Sequence, residues 1–307
     1  MAGKNINLFL MDGTMEGRVK CGLANWTGLE YKIPREYFAK CDNIKETQNN
    51  GIYFLIGVDE NDQEAVYVGQ ARQRSNGKEL LGRIVEPHNS IMYWKEAILL
   101  TTRDDYFGPT ELCYLEHKFY RIAIEAKRFI VTNGNTPSIG NPTEEKQCEL
   151  NEFIDFSKLV ISAMGYKFLV PLVPDCIKHK ISAGTVDDNC QVTSESTFAH
   201  IFSMSYNGAT ATAAWTDDGI VVLKGSTINK DITATCPASV KNKRNQYADK
   251  IVDDKLQDDV LFKSPSGAAS FIASAHVNGK NYWQSEDGKT IGELMDNSIS
   301  NDVSTHN

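Results

Sequence analysis

Tyr53 and Tyr67 stand in two short triplets, Gly51-Ile52-Tyr53 and Tyr67-Val68-Gly69, and Arg83, His88, Glu116 and Asn135 follow them in that order. Hydrolysis of a phosphodiester needs a nucleophilic water, a base to take its proton, and positive charge where the phosphate and the leaving oxygen become negative. Residues of these types can supply each part. A guanidinium stays charged at any working pH and offers a forked set of donors to phosphate oxygens. A single carboxylate is a hard oxygen ligand that suits magnesium or manganese, ions content to keep most of their positions for water. A phenol ordinarily titrates near about 10, so it serves as a base only with help from a metal or a cation. Taken singly, a tyrosine packs, an arginine pairs with an acid and a helix-edge glutamate is solvated. Their order along the chain is what points to chemistry.

The elements that must position these side chains can be read from local pattern. Residues 52–57 and 65–69 are β-branched and aromatic runs bounded by Gly, Asp and Asn, which predicts two antiparallel strands joined by the polar turn 59–64. Leu80, Leu81, Ile84 and Val85 recur at helical spacing within 77–85, with Arg83 off that stripe and Pro87 closing the helix. Trp94 and residues 97–102 read as a third strand. Pro109 opens a helix whose Leu112, Leu115, Phe119, Ile122 and Ala126 form one apolar face, with Glu116 at its rim. Lys118, Arg121, Glu125 and Arg128 lie on the opposite face. Residues 133–137 are a turn by composition.

This constellation of Gly-Ile-Tyr, Tyr-Val-Gly, Arg83, Glu116 and Asn135 resembles the GIY-YIG nuclease family, with Val in the second triplet where Ile is usual. The resemblance implies an α/β (α+β) module, a small antiparallel sheet flanked by helices, that cuts DNA with magnesium or manganese. It implies Tyr67 as general base, supported by Tyr53 through the hairpin, Arg83 as phosphate clamp and Glu116 as metal ligand. His88 matches a position where the family often has a second phosphate-contacting or base-assisting residue. Asn135 resembles the asparagine that closes the module, with Asn133 as the alternative match. The hairpin is longer than usual, and residues 72–78 add a loop, which leaves Arg72 or Arg74 as alternatives to Arg83.

At 307 residues the chain has room for two domains. No apolar run reaches the roughly 18 residues of a membrane helix, so no membrane partner is expected. The start, Met-Ala-Gly-Lys-Asn, leads into a strand without an apolar leader, from which a cytoplasmic location is expected. The seven cysteines are scattered without a Cys-x-x-Cys pair, and read as reduced thiols rather than zinc ligands. Net charge is -8, which argues against a nucleic-acid partner only if it is evenly spread. It is not: residues 1–140 hold 17 basic and 18 acidic side chains, net -1, leaving 15 and 22, net -7, for the remainder. Arg72, Arg74, Lys78 and Arg83 crowd one segment and Arg121, Lys127 and Arg128 another, two candidate phosphate-binding faces.

Residues 5–11 and 18–23 read as strands of an N-terminal β extension, 1–50, packed on a module of 51–140. A helix over 143–164 forms a connector, 141–190, and a boundary near 190 opens a C-terminal α+β domain, 191–307. There, 201–206, 211–215 and 220–223 read as strands, Asp217-Asp218-Gly219 as a turn, 238–256 as a helix, and Ser264-Pro265-Ser266 as the cap of a short helix over 267–273. From Trp215 through Ser264-Pro265-Ser266 and Asn278-Gly279 to Trp283, this region resembles a small domain of unknown function that often ends bacterial GIY-YIG chains, over about residues 200–295. Its Ser-Pro-Ser and Asn-Gly-to-Trp elements are also similar to those of small domains attached to restriction enzymes and methylases, although Lys280-Asn281-Tyr282-Trp283 departs from the usual Gly-Trp junction. The resemblance implies a reader of DNA or of a protein partner. The alternative to a metal-dependent endonuclease is a non-catalytic DNA-binding or partner-recruiting protein of a repair or restriction-type system.

Overall fold

The computed structural model describes residues 3–59, 62–72, 81, 84, 94–174, 177 and 200–295. The chain divides into two compact units, Met1–Pro171 and Leu172–Asn307. The fold is mixed α+β, with a large, mostly antiparallel sheet in the first unit and a smaller sheet with helices in the second.

The first unit holds strands β1 (Ile6–Leu10), β2 (Val19–Leu23), β3 (Gly28–Pro34), β4 (Gly51–Val58), β5 (Glu64–Ala71), β6 (Trp94–Thr102) and β7 (Ile130–Val131), in the order β1-β2-β3-β6-β4-β5-β7. Among the described residues of this sheet, only the β5–β7 pairing is parallel. Side chains on β4 alternate between two cores, as strand geometry dictates. Ile52, Phe54 and Ile56 pack with helices α1 (Pro109–Ala126) and α2 (Glu144–Ala163), while Tyr53 and Leu55 pack with Leu29, Tyr31, Ile33, Leu81 and Ile84. Burial of both faces explains why β4 reads as a continuous apolar run. Helix α1 begins with Pro109 in its first turn and ends at Lys127, whose φ of 55° stops the helix. Thr143 caps α2 by accepting a hydrogen bond from the Lys146 amide, and Glu144 and Glu145 complement the dipole of its first turn.

The sheet is wider than the module expected from the sequence. β3 pairs with β6 in seven residue pairs, from Gly28 opposite Thr102 to Pro34 opposite Glu96. Cys21 and Leu23 of β2 share one core with Leu150, Phe153 and Ile154 of α2. Segments 1–50 and 141–171 therefore belong to the same unit as 51–140. The boundary expected near residue 190 lies outside the described residues.

The second unit contains an antiparallel sheet of β8 (Ile201–Tyr206), β9 (Ala209–Thr216), β10 (Gly219–Val222) and β13 (Val260–Phe262), in the order β13-β10-β9-β8. Its core joins Phe202, Met204, Ile220 and Val222 to Phe271 and Ile272 of α4 (Pro265–Ala273) and to Trp283, just after α5 (Gly279–Tyr282). The helix expected over 238–256 is shorter. α3 (Ala238–Gln246) stops early, and β11 (Ile251–Val252) pairs with β12 (Lys255–Leu256) as a hairpin. Asp253 and Asp254 turn it at φ of 49° and 59°, the left-handed conformation that a two-residue hairpin turn requires. Among the described residues no helix is long and apolar enough to cross a membrane.

Candidate active site

The two triplets face each other across the β4–β5 pair, Tyr53 opposite Gly69 and Leu55 opposite Tyr67. Tyr53 and Tyr67 therefore project from the same side of the sheet two positions apart, and their rings stack at a centroid distance of 6.1 Å and an interplanar angle of 29°. Tyr53 is buried; Tyr67 is half-exposed. Gly69 has a packing reason to be glycine, since a Cβ there would lie 2.3 Å from Cζ of Tyr53 and 2.5 Å from its hydroxyl oxygen. The Tyr53 ring fills the space over Gly69, and Tyr67 lies against that fixed ring.

β7 covers the edge of β5 only at Ala65 and Val66. Beyond it, Asn133 takes the place of a strand: its Nδ2 donates to the Val68 carbonyl at 2.7 Å and its Oδ1 accepts from the Val68 amide at 3.0 Å. Of the two asparagines that match the family's closing residue, Asn133 is the one bonded to β5 beside Tyr67, while Asn135 is exposed in the loop that follows. Further along β5, the Gln70 Nε2 donates to Oε2 of Glu116 at 2.7 Å, and Arg72 Nε donates to Gln70 Oε1 at 2.9 Å. The Arg72 guanidinium also reaches Cys113 Sγ, one turn before Glu116 on α1. His117 Nδ1 lies 2.9 Å from the Pro137 carbonyl and ties α1 to the loop carrying the asparagines.

Glu116 thus sits at the edge of β5 on the side of Val66 and Val68, with Gln70 three residues, about 10 Å, along the strand from Tyr67. The tyrosines occupy the other face, in the core that also holds Leu81 and Ile84. Arg83, His88 and Arg74 lie outside the described residues. The sequence motifs do not include Gln70. The signal available for it was a polar residue at every-other-residue spacing from Val66 and Val68, on a face where an acid from a helix could meet it.

Among the described residues no group of three or more His, Cys, Asp or Glu side chains is placed to hold a metal ion. A single carboxylate fits magnesium or manganese, which bind through one or two carboxylates and keep water and substrate phosphate in their remaining positions. The second basic cluster is largely committed elsewhere: Arg121 pairs with Glu125 at 2.9 Å, and Arg128 Nε donates to the Val170 carbonyl at 2.7 Å.

In the second unit the Ser-Pro-Ser and Asn-Gly-to-Trp elements meet as a scaffold. Ser264 Oγ accepts from the Gly267 amide and Ser266 Oγ from the Gly279 amide, each at 3.1 Å. Trp283 is fully buried and its indole N–H donates to the Pro265 carbonyl at 3.1 Å. A Cβ on Gly279 would come within 2.1 Å of that same carbonyl oxygen, so the close approach of α5 to α4 requires glycine.

Fold and site together describe a two-unit α+β protein whose first unit carries a stacked tyrosine pair and an edge carboxylate, and whose second is a compact sheet-and-helix domain. Residues 202–295 match the model of a family described as a domain of unknown function, DUF4357, so the chain carries a C-terminal domain of unknown function. Comparison with curated proteins and with solved structures returned no match.

Proposed function

We propose that the first unit is a GIY-YIG type endonuclease that hydrolyses DNA phosphodiester bonds with magnesium or manganese. The observation that carries this reading is the tyrosine pair: two phenols stacked across a hairpin, one buried and one reaching solvent, on the strand whose other face meets Glu116 through Gln70, about 10 Å along it. In this reading Tyr67 takes the proton of the attacking water, and Tyr53, seated on Gly69, fixes its ring. Arg83 clamps the phosphate, with Arg72 close to Glu116 as the alternative. Glu116 holds the cation, which when bound would supply charge stabilisation of the phosphate and a more acidic water. Asn133 keeps the strand that carries Tyr67 in register. The C-terminal domain would read DNA or recruit a partner, in a cytoplasmic setting.

The Gln70–Glu116 bond also suits a second reading, in which the carboxylate only ties α1 to the sheet and the unit binds DNA without cutting. Labelled duplex, nicked, branched and single-stranded DNAs incubated with magnesium or manganese distinguish the two. Cleavage that needs the ion and is lost in Glu116→Ala supports the nuclease. Binding without cleavage by either form supports the second reading.

A further inference from the structure

A half-open aromatic cavity of about 370 Å³ lies in the first unit between the ends of β3 and β6 and helix α2, away from the tyrosine pair. Its volume falls in the range of roughly 300–1,000 Å³ typical of small-molecule sites. Trp26 and Phe153 form the inner wall, with ring centroids 5.0 Å apart, and Phe107 meets Phe153 at 5.0 Å in an edge-to-face contact. Phe156 closes the side at 6.1 Å from Trp26. The Trp26 ring is held in place because it lies over Gly28, where a Cβ would fall 2.2 Å from Cζ2 of the indole. Asp104 and Glu152 add carboxylates to this aromatic wall, and both are exposed. Neither makes an ion pair or a hydrogen bond among the described residues.

One of the chain's own ammonium groups marks what this surface attracts: Lys4 Nζ lies 4.3 Å from the centroid of Phe156. At the rim, Lys146 Nζ is held by the Tyr106 hydroxyl and Glu149. The negative faces of aromatic rings attract cations, and a tryptophan face attracts them most strongly. An uncharged apolar ligand would gain nothing from Asp104 and Glu152, and an anion would be repelled by them. Lys146 is paired with Glu149 at 2.7 Å, and Lys4 over Phe156 offsets only one of the two remaining carboxylates, so the site stays net negative.

We propose that this cavity binds a small organic cation carrying a methylated ammonium group, with Trp26 and Phe153 against the methyl groups and Asp104 and Glu152 supplying the counter-charge. Methylation suits the site because the inner rings offer no hydrogen-bond acceptor to an N–H, while methyl groups spread the charge over an apolar surface. The binding is independent of the nuclease reading, since none of its residues belongs to the β5 edge.

Choline is the probe, titrated into the full chain at constant ionic strength, with tryptophan fluorescence and calorimetry as readouts and its uncharged isostere, dimethylbutanol, as control. The expected result is saturable choline binding that weakens about tenfold in Trp26→Leu and by a similar factor with the isostere. Should Trp26→Leu fail to fold, the double variant Asp104→Asn, Glu152→Gln alters only exposed carboxylates and must weaken choline binding while leaving the isostere unaffected. Absence of saturable binding, equal binding of choline and its isostere, or unchanged affinity in the double variant would overturn the proposal.

Discussion

Gly69 and Tyr53 are a matched pair: the ring occupies the volume that any side chain at Gly69 would need. Gly69→Ala should therefore displace Tyr53 and disturb its stack with Tyr67, at a stability loss of about 1–3 kcal/mol, the usual cost of overpacking a core. Urea denaturation together with near-ultraviolet circular dichroism measures both effects, and a wild-type profile would contradict the packing account. Glu30 on β3 presents a different tension. It is fully buried opposite Cys21 and Leu100, and neither of its carboxylate oxygens has a hydrogen-bond partner in the described structure. Burial pushes its carboxyl well above the ordinary range, and burial, with this carboxyl nearby, pushes the Cys21 thiol up to about 12. In the unfolded chain a glutamate ionises near about 4.3. Above that pH the unfolded state gives up this proton while the native state keeps it, so Glu30 favours folding fully only below that value. Its contribution is lost as pH rises toward the native pKa, at up to about 1.4 kcal/mol per unit. Glu30→Gln should remove this loss. Stability measured for both forms between about pH 4 and 8 should diverge in favour of the variant as pH rises, and parallel curves would refute the assignment. An acid at this position was not legible as buried, because the charged residues around it in the sequence give no sign that α2 will cover β3.

At the scale of elements, the pieces that carry the tyrosines and Glu116 were the most legible. The alternation in β4 and β5 and the three-and-four spacing of Leu112, Leu115 and Phe119 in α1 are local patterns with one satisfactory solution. Contacts between distant segments were not. The sheet's growth through β3 pairs residues about seventy positions apart, and Gln70 meets Glu116 across forty-six. Neither leaves a periodic signal. The β11–β12 hairpin was hidden because its turn uses Asp253-Asp254 rather than a glycine-bearing dipeptide. Asn133 illustrates how the structure separates two residues that sequence leaves equivalent. Its paired bonds to Val68 hold β5 where β7 ends, so Asn133→Ala should cost about 1–3 kcal/mol by leaving backbone groups unpaired. Asn135→Ala, in an exposed loop, should stay within about 0.5 kcal/mol of wild type. Chemical denaturation of the two variants tests the distinction, and equal effects would contradict it.

The whole molecule is built as two units with separate hydrophobic cores, the second of which centres on Phe271 and the fully buried Trp283. Calorimetry should resolve two unfolding transitions. Phe271→Ala, at a cost of about 3–5 kcal/mol to its own core, should lower only one of them, and a single transition that shifts as a whole would show the units to be coupled. The charge is spread over both units: residues 1–171 hold 20 basic and 23 acidic side chains, net -3, and residues 172–307 hold 12 and 17, net -5, so most of the chain's acidic excess lies outside the first unit. Within that unit the central claim rests on Tyr67. The most direct measurement is single-turnover cleavage of labelled DNA by wild type and Tyr67→Phe with manganese, alongside their DNA affinities. Loss of a positioned base predicts a rate lower by on the order of a hundredfold or more with affinity unchanged. Equal rates in the two proteins, or no metal-dependent cutting by the wild type, would contradict the account.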